Sequence, residues 1–256
     1  MRTIYFVGLD LGQKQDPTAL AVVEWREYAG ARDAAAFEHG KETLLSLRHL
    51  ERVPLGTPYP DVVSRVGCLM RSQRLAGGER RHLVVDGTGV GPVVVDLLRQ
   101  EDLQSRLWPV TITRGDTERY ADEYYRVPKR DLIVGLQVLM QQGRLQIAEG
   151  MKEGATLVKE MAEMRVKISG SAHEQYGAWR SGEHDDLVLA VALACWGVRK
   201  AAPRVRRGGE RGHPAPVTPI YVDVSLLRIG ELLLSNAHRI GLVNRPWPPE
   251  KYGAPK

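Results

Sequence analysis

Apolar residues along the chain fall into short blocks, and the spacing within each block predicts its secondary structure. Three runs of strand type open the sequence, at residues 3–10, 18–28 and 42–53, and we expect them to form three consecutive antiparallel strands. Residues 60–75 then carry an apolar stripe of helical spacing that ends at Gly77. The chain therefore begins with three strands followed by a helix.

The following blocks alternate between strand and helix. A strand at 81–86, a helix at 92–100 and a strand at 107–113 predict a right-handed βαβ unit. A polar loop follows at 114–125, and then a helix at 129–142, a short edge strand at 144–147 and a second helix at 150–164. Two strands at 165–169 and 174–179 are predicted to pair as a hairpin. This order indicates an α/β protein with a mixed central sheet, three antiparallel strands and then parallel ones, flanked by helices.

The most apolar block covers residues 187–196 and follows two adjacent acids, Asp185 and Asp186. Its alanines and leucines favour a helix, and because the block is apolar on every side, we expect the helix to be buried on the sheet. One acid is enough to cap such a helix at its N-terminus. Two crowded carboxylates repel each other unless a cation lies between them, so the pair indicates either capping or a cation site.

Composition restricts the class of protein. A chain of 256 residues with 43% hydrophobic content can bury one full core, with a small appendage. No signal sequence opens the chain and no apolar run approaches the ~20 residues of a membrane helix, so we expect a cytosolic protein without a membrane partner. Cys68 and Cys195 lie in separate apolar segments, and we interpret both as reduced core residues.

The excess positive charge is concentrated in one segment. The whole chain has a formal net charge of +5, and residues 199–211 contain six basic residues and one acid, which gives the same excess. Prolines and glycines in the same segment predict a flexible linker at 200–219, between a domain at 1–199 and a helix with a tail at 220–256. The linker is either a solvated spacer or a contact for nucleic-acid phosphates, through Arg204, Arg206, Arg207 and Arg211.

Acids also stand at two other places where apolar sequence stops abruptly. Asp10 ends the first predicted strand, and Asp86 ends the strand of the βαβ unit, whose carboxyl end is the usual place for a site. Either acid alone is explained as a turn former. Together with the acids before the buried helix, they form an ordered set that indicates a shared site.

Four motifs carry a resemblance to a known superfamily: Gly8-Leu9-Asp10-Leu11-Gly12 with Asp16-Pro17-Thr18-Ala19-Leu20, Val84-Val85-Asp86-Gly87-Thr88-Gly89, Val127-Pro128-Lys129-Arg130-Asp131-Leu132, and His184-Asp185-Asp186-Leu187-Val188-Leu189-Ala190. In this order, across residues 3–199, they resemble the RNase H-like nucleases, and within that superfamily the nuclease domain of phage large terminases. The resemblance implies a two-metal endonuclease that hydrolyses double-stranded DNA during viral DNA packaging. It implies that the metal ligands are Asp10, Asp86, Asp185 and Asp186, with Lys129 and Arg130 close to the site and the DNA.

The chemistry of these residues agrees with what the resemblance implies. Carboxylate oxygens suit hard Mg²⁺ or Mn²⁺, and a pair of such ions can activate water and stabilise a leaving oxygen. Adjacent helical residues point ~100° apart, and Asp186 shares a stripe with Ala190, so we expect Asp186 to be the inner ligand and Asp185 the outer one. His184 is either a proton carrier or an ordinary capping or surface residue, and we favour the second role.

The sequence departs from complete large terminases, which carry an ATPase motor. It contains no Gly-x-x-x-x-Gly-Lys-[Ser/Thr] loop, and Met1 lies two residues before the first strand. Either this is a separately encoded nuclease part or the motor is another chain, and the candidate partners are such a motor chain, the portal or the small terminase. Three alternatives stay open: a Holliday-junction resolvase, an actin-like ATPase, whose phosphate loops resemble the motifs at Asp10 and Asp86, and a non-catalytic DNA-binding subunit.

Overall fold

The computed structural model describes residues 1–12, 16–33, 38–148, 150–168, 174–177 and 184–201. The predicted linker beyond residue 201, its four arginines and the predicted C-terminal helix lie outside these ranges. Within them, no helix has both the length and the apolar character needed to cross a membrane.

Three antiparallel strands open the fold, as the sequence predicts. They are β1 (Arg2–Asp10), β2 (Ala19–Asp33) and β3 (Glu38–Arg52), and the last two extend into residues 29–41, between the strand runs predicted at 18–28 and 42–53. Asp10 pairs with Ala19, and Ala19 pairs in turn with Arg52. This register brings the end of β1 and the end of β3 to the same edge of the sheet.

The predicted helix at 60–75 is interrupted. It forms α1 (Tyr59–Arg71) and α2 (Gln73–Ala76), because Ser72 between them has extended backbone angles. The next elements, β4 (Arg80–Asp86), α3 (Gly91–Gln100) and β5 (Arg106–Thr113), form a βαβ unit, and β4 pairs in parallel with both β1 and β5. The strands and helix predicted for this unit are confirmed.

The polar loop predicted at 114–125 is wrong in its second half. This segment contains β6 (Arg119–Ala121) and the start of β7 (Tyr124–Pro128), which pair as a hairpin, and β7 also lies parallel to β5. The turn residues Asp122 and Glu123 both have positive φ, at 53° and 64°. Two such residues give the twist that a two-residue hairpin requires, and tyrosines favour strands.

The remaining elements complete a mixed sheet. They are α4 (Lys129–Gln141), β8 (Leu145–Ile147), α5 (Gly154–Glu163), β9 (Arg165–Ile168), β10 (Glu174–Gly177) and α6 (Asp186–Ala201). Within the described ranges the main sheet has the order β6-β7-β5-β4-β1-β2-β3-β8, and β9 and β10 form a separate antiparallel hairpin. The predicted fold class, a mixed sheet flanked by helices, is confirmed.

Two apolar layers cover the sheet. Helices α4, α5 and α6 pack on one face, and α1 and α3 pack on the other. Helix α6 is buried from Asp186 to Val198, and it lies directly on β1: a Cβ atom on Gly8 would lie 1.9 Å from the carbonyl oxygen of Ala190. The absence of a side chain at this position lets the helix contact the strand backbone.

The two cysteines have different environments. Cys195 is buried in α6, as predicted, whereas Cys68 is exposed on α1. The prediction for Cys68 is wrong because the position lies on the outer stripe of an amphipathic helix, in line with exposed Asp61, Ser64 and Arg71.

Candidate active site

The fold brings the acids to one edge of the sheet. Asp10 is the last residue of β1, and Asp86 is the last residue of the neighbouring parallel strand β4. Helix α6 packs across β1 and starts at Asp186, so Asp185 and Asp186 reach the same edge. Lys129 is the first residue of α4, directly after β7.

Asp10 and Asp86 are in direct contact, and repulsion between them is only partly offset. Asp10 is only 8% exposed, and its carboxyl group lies close enough to that of Asp86 for the two to interact directly. Burial, and then repulsion from Asp86 and Asp185, raises the pKa of Asp10 well above its usual range. Burial also raises the pKa of Asp86, although Thr88 and Lys129 act against it. Two carboxylates this close require a shared proton or a cation.

Thr88 fixes the orientation of Asp86. Its backbone N–H and its hydroxyl both donate to Oδ1 of Asp86, at 2.9 and 2.6 Å. The hydroxyl in turn accepts the backbone N–H of Ile112 at 2.9 Å, which links the loop after β4 to β5. Sequence analysis missed this role, although an aspartate two residues before a threonine between glycines is a recognisable turn signal.

Lys129 contacts Asp185. Its Nζ lies 2.7 Å from Oδ2 of Asp185, and both side chains are about one quarter exposed, at 27% and 22%. The carbonyl oxygen of Asp185 accepts the N–H of Leu189 at 2.9 Å, as expected for a residue that begins a helix. The predicted proximity of Lys129 to the acids is therefore present in the structure.

Asp186 has a different partner, which sequence analysis did not identify. Arg52 donates to both carboxylate oxygens, from Nε at 2.7 Å and from Nη2 at 3.1 Å, and Asp186 is only 4% exposed. Arg52 also contacts the buried Glu160 of α5, whose other oxygen accepts the N–H of Val188 at 3.2 Å. Burial, and then repulsion from Asp186, raises the pKa of Glu160 to about 8.

These contacts give the two adjacent acids different partners. Sequence analysis favoured Asp186 as the inner ligand, but both of its oxygens are held by Arg52. The helical stripe involves only neighbours along α6, whereas Arg52 lies on β3, 134 positions earlier in the chain. Asp185, whose partner is a single lysine, is the more available of the two.

Two other predicted residues lie beside the acids rather than among them. His184 is partly exposed, and its Nδ1 lies 3.7 Å from the carboxylate of Asp16. Arg130 lies 3.6 Å from both Asp116 and Asp131, so its charge is directed at carboxylates outside the site. The predicted linker arginines are outside the described residues.

The site holds more acids than bases. In the described part of the chain, two basic side chains, Arg52 and Lys129, serve five carboxyl groups: Asp10, Asp86, Glu160, Asp185 and Asp186. No three His, Cys, Asp or Glu side chains among the described residues are grouped so that they could hold a metal ion as they stand. The cluster therefore has the donor chemistry of a cation site without a preformed set of three ligands.

Comparison with known proteins identifies the fold. No family model and no curated protein matches the sequence. Among solved structures, the chain is similar to the magnesium-bound large terminase nuclease of thermophilic phage G20c, with 23% identity over 76% of this chain and 81% of that one, and a TM-score of 0.50. A manganese-soaked terminase nuclease domain of human cytomegalovirus has 14% identity over 75% and 81% of the two chains, with a TM-score of 0.46. The first similarity shows that this chain has the RNase H-like fold of a terminase nuclease domain.

Proposed function

We propose that this chain is a divalent-metal-dependent endonuclease of the terminase type, which cuts double-stranded DNA in viral DNA packaging. The observation that carries the proposal is the excess of carboxylates at the sheet edge, where β1, β4 and the start of α6 meet. A buried cluster of like charges is unfavourable unless a cation joins it. The similarity in fold to a magnesium-bound terminase nuclease supports the same assignment.

Asp10, Asp86 and Asp185 are the proposed metal ligands. Carboxylate oxygens match hard Mg²⁺ or Mn²⁺, and a magnesium site commonly uses only one or two carboxylates, with water and substrate phosphate as the other ligands. When bound, two such ions supply an activated water and stabilise the leaving oxygen. Asp10, which interacts with Asp86, Asp185, Asp186 and Lys129, would be the central residue holding the metal.

The protein side chains prepare the site for this chemistry. Burial and the neighbouring carboxylates raise the pKa of Asp10, so protonation of its carboxyl group and binding of a cation would compete at this position. Lys129 neutralises Asp185 and is exposed enough to contact a DNA phosphate instead. Thr88 keeps one oxygen of Asp86 occupied and leaves the other, Oδ2, for a ligand.

The proposal includes the partners that this activity needs. Arg130 and the four linker arginines, Arg204, Arg206, Arg207 and Arg211, would contact the phosphate backbone of duplex DNA. An ATPase motor, with the portal or the small terminase, would supply movement of the DNA. The setting would be the cytoplasm of a phage-infected bacterium.

The test is a cleavage assay with the purified chain. Supercoiled plasmid, linear duplex and synthetic four-way junctions are incubated with Mg²⁺, Mn²⁺ or EDTA. We expect the plasmid to be nicked and linearised with either metal and to stay intact with EDTA. The variant Asp10→Ala should be folded, as judged by circular dichroism, and inactive, because it loses a central ligand at the surface of the sheet rather than core volume.

The matched control is Asp96→Ala, which removes an exposed aspartate of α3. It should cut like the wild type. Equal cutting by Asp10→Ala and the wild type would contradict the assignment of the site. Cleavage confined to four-way junctions would instead identify a resolvase with the same fold.

A further inference from the structure

Arg52 joins three elements at the start of α6. It is the last residue of β3, and its guanidinium binds Asp186 at the first turn of α6 and Glu160 of α5. Glu160 also accepts the N–H of Val188, so the same group of side chains satisfies one of the free backbone donors of that first turn. We call Arg52, Glu160 and Asp186 the Arg52 network.

The network is buried and directional. The side chains of Asp186 and Glu160 are each 5% exposed, and that of Arg52 is 25% exposed. The contact of Arg52 with Asp186 uses two N–H groups and both carboxylate oxygens. A two-point contact of this kind fixes the plane of the carboxylate as well as its distance. The start of α6 therefore has a defined rotation about the helix axis.

That rotation determines which acid is free to face the metal site. Adjacent residues on a helix point ~100° apart, so fixing Asp186 on Arg52 also fixes the direction of Asp185. Asp185 points to Lys129, which also interacts with Asp10 and Asp86. The two neighbouring acids thus have separate partners, on different sides of the first turn.

We propose that Arg52 is a positioning residue, which holds Asp186 as an anchor so that Asp185 serves as the metal ligand from α6. This inference rests on the proposed function and assigns roles within that site. Arg52 does not touch the reacting atoms. It acts through Asp186 and α6, and Glu160 completes its coordination.

The test compares metal binding and cleavage in single and double variants. Mn²⁺ affinity is measured by isothermal titration calorimetry on the full chain without DNA, and kcat and KM are measured separately with a linear duplex. We expect Arg52→Gln and Asp186→Asn each to weaken Mn²⁺ binding and kcat by about tenfold to a hundredfold, with KM for DNA unchanged. The double variant should be no worse than either single one, because both remove the same contact. Asp185→Asn should abolish the binding that these variants only weaken.

Two further variants separate positioning from general stability. Arg52→Lys keeps the charge without the two-point contact and should recover part of the affinity, and it supplies the comparison if Arg52→Gln does not fold. Arg65→Gln is the matched control, because Arg65 makes an equally two-pronged contact with Glu51, from α1 on the opposite face of the sheet. It should retain Mn²⁺ affinity and kcat even where its melting temperature falls.

Two results would overturn the inference. The first is wild-type Mn²⁺ affinity in folded Arg52→Gln. The second is complete loss of Mn²⁺ binding in Asp186→Asn with retention in Asp185→Asn, which would make Asp186 the ligand. If the Mn²⁺ affinities of the wild type and the variants fall in the predicted order but the wild type cuts no DNA, the proposed function fails. The assignment of Arg52 as a positioning residue then stands.

Discussion

Two buried groups of charged residues in this protein have opposite ratios of basic to acidic side chains. Glu24 on β2 is 4% exposed, and both of its oxygens accept a hydrogen bond at 2.8 Å from Arg26. Arg48 lies 3.7 Å away, and the hydroxyl of Tyr5 lies 3.4 Å away. One acid thus has two arginines, whereas the five acids of the candidate active site, Asp10 included, share one lysine and one arginine.

The difference separates a structural charge from a functional one. A buried acid that is fully compensated inside the protein has no use for a further cation, and its removal should affect folding only. An under-compensated cluster is stable only if something else supplies the missing charge, which is what a metal site does. The balance of charge, rather than burial of an acid, is therefore the feature that identifies the candidate active site.

The largest stability change should come from Glu24. Glu24→Gln leaves two arginines beside a neutral amide, and breaking a buried ion pair from one side costs about 3–5 kcal/mol. Urea unfolding gives the free energy directly. Glu79→Gln, which breaks the exposed pair with Arg2, is the control and should cost much less, because solvent screens an exposed ion pair. Equal destabilisation of the two variants would remove the contrast between buried and exposed pairs.

The pH dependence of stability should depend on His82, which belongs to neither group. Its ring stacks between Phe6 and Trp108, with ring centroids 5.1 and 4.6 Å away. Burial, and then the charge of Arg106, lowers the pKa of His82 to about 4. An unfolded histidine has a pKa of about 6.5, so between these values the unfolded chain binds a proton that the folded chain does not.

Stability should therefore be fully present above about pH 6.5 and fall by about 3 kcal/mol as the pH drops towards 4. His82→Phe should remove this part of the slope, and it also removes a buried ring nitrogen, Nδ1, that has no hydrogen-bond partner among the described residues. Urea unfolding at a series of pH values compares the two proteins. Parallel curves across this range would show that His82 does not titrate as its surroundings indicate.

Asp10 should behave in the opposite way to Glu24. Without metal, Asp10→Asn removes repulsion with Asp86, so the melting temperature should rise, by about 2–4 °C for each kcal/mol relieved. Mn²⁺ at about a hundred times its dissociation constant should stabilise the wild type by about 2.7 kcal/mol and the variant little. Thermal unfolding with EDTA and with Mn²⁺ measures both effects, and Asp96→Asn is the control. A destabilised Asp10→Asn in EDTA would mean that the cluster is already compensated.

The smallest effect concerns the excess positive charge of the predicted linker. Neutralising Arg204, Arg206, Arg207 and Arg211 should weaken duplex DNA binding and reduce its salt dependence by about one unit of log–log slope for each phosphate that is no longer bound. Fluorescence anisotropy across a salt series measures the slope. The control neutralises four arginines that form surface ion pairs, namely Arg2, Arg71, Arg99 and Arg126. The same slope in the linker variant and the wild type would show that the linker is a spacer.

The order of the strands along the chain and the positions of the acids could be predicted because they depend on the local pattern of apolar and polar residues. An apolar run that stops at Asp10 or Asp86 reports both a buried strand and a polar residue at its end. The buried helix was equally clear, because residues 187–196 form a continuous apolar block, and the structure buries every residue from Asp186 to Val198. Such features need only a few neighbouring residues to define them.

The features that sequence analysis missed depend on residues distant in sequence or on unusual backbone. Arg52 and Asp186 are 134 residues apart, and nothing near Arg52 distinguishes it from an arginine at the end of any strand. The β6–β7 hairpin was missed because its turn uses Asp122 and Glu123, with positive φ, where glycine or asparagine is the usual signal. The contact between Arg52 and Asp186, and the pairing of β7 with β5 and β6, are therefore set by the folded structure rather than by the local sequence pattern.

The close contact between β1 and α6 determines which substitutions the chain can tolerate. A methyl group on Gly8 would overlap the carbonyl of Ala190 and lie 2.9 Å from the backbone nitrogen of Ala194. Relief would require α6 to move away from the strand that ends in Asp10, two residues later. In a saturation-mutagenesis screen for cleavage, Gly8 should therefore be as intolerant as Asp10 itself, although it has no side chain and takes no part in the chemistry. A search for catalytic residues by loss of activity alone would identify both positions, and only a measurement of the fold would separate them.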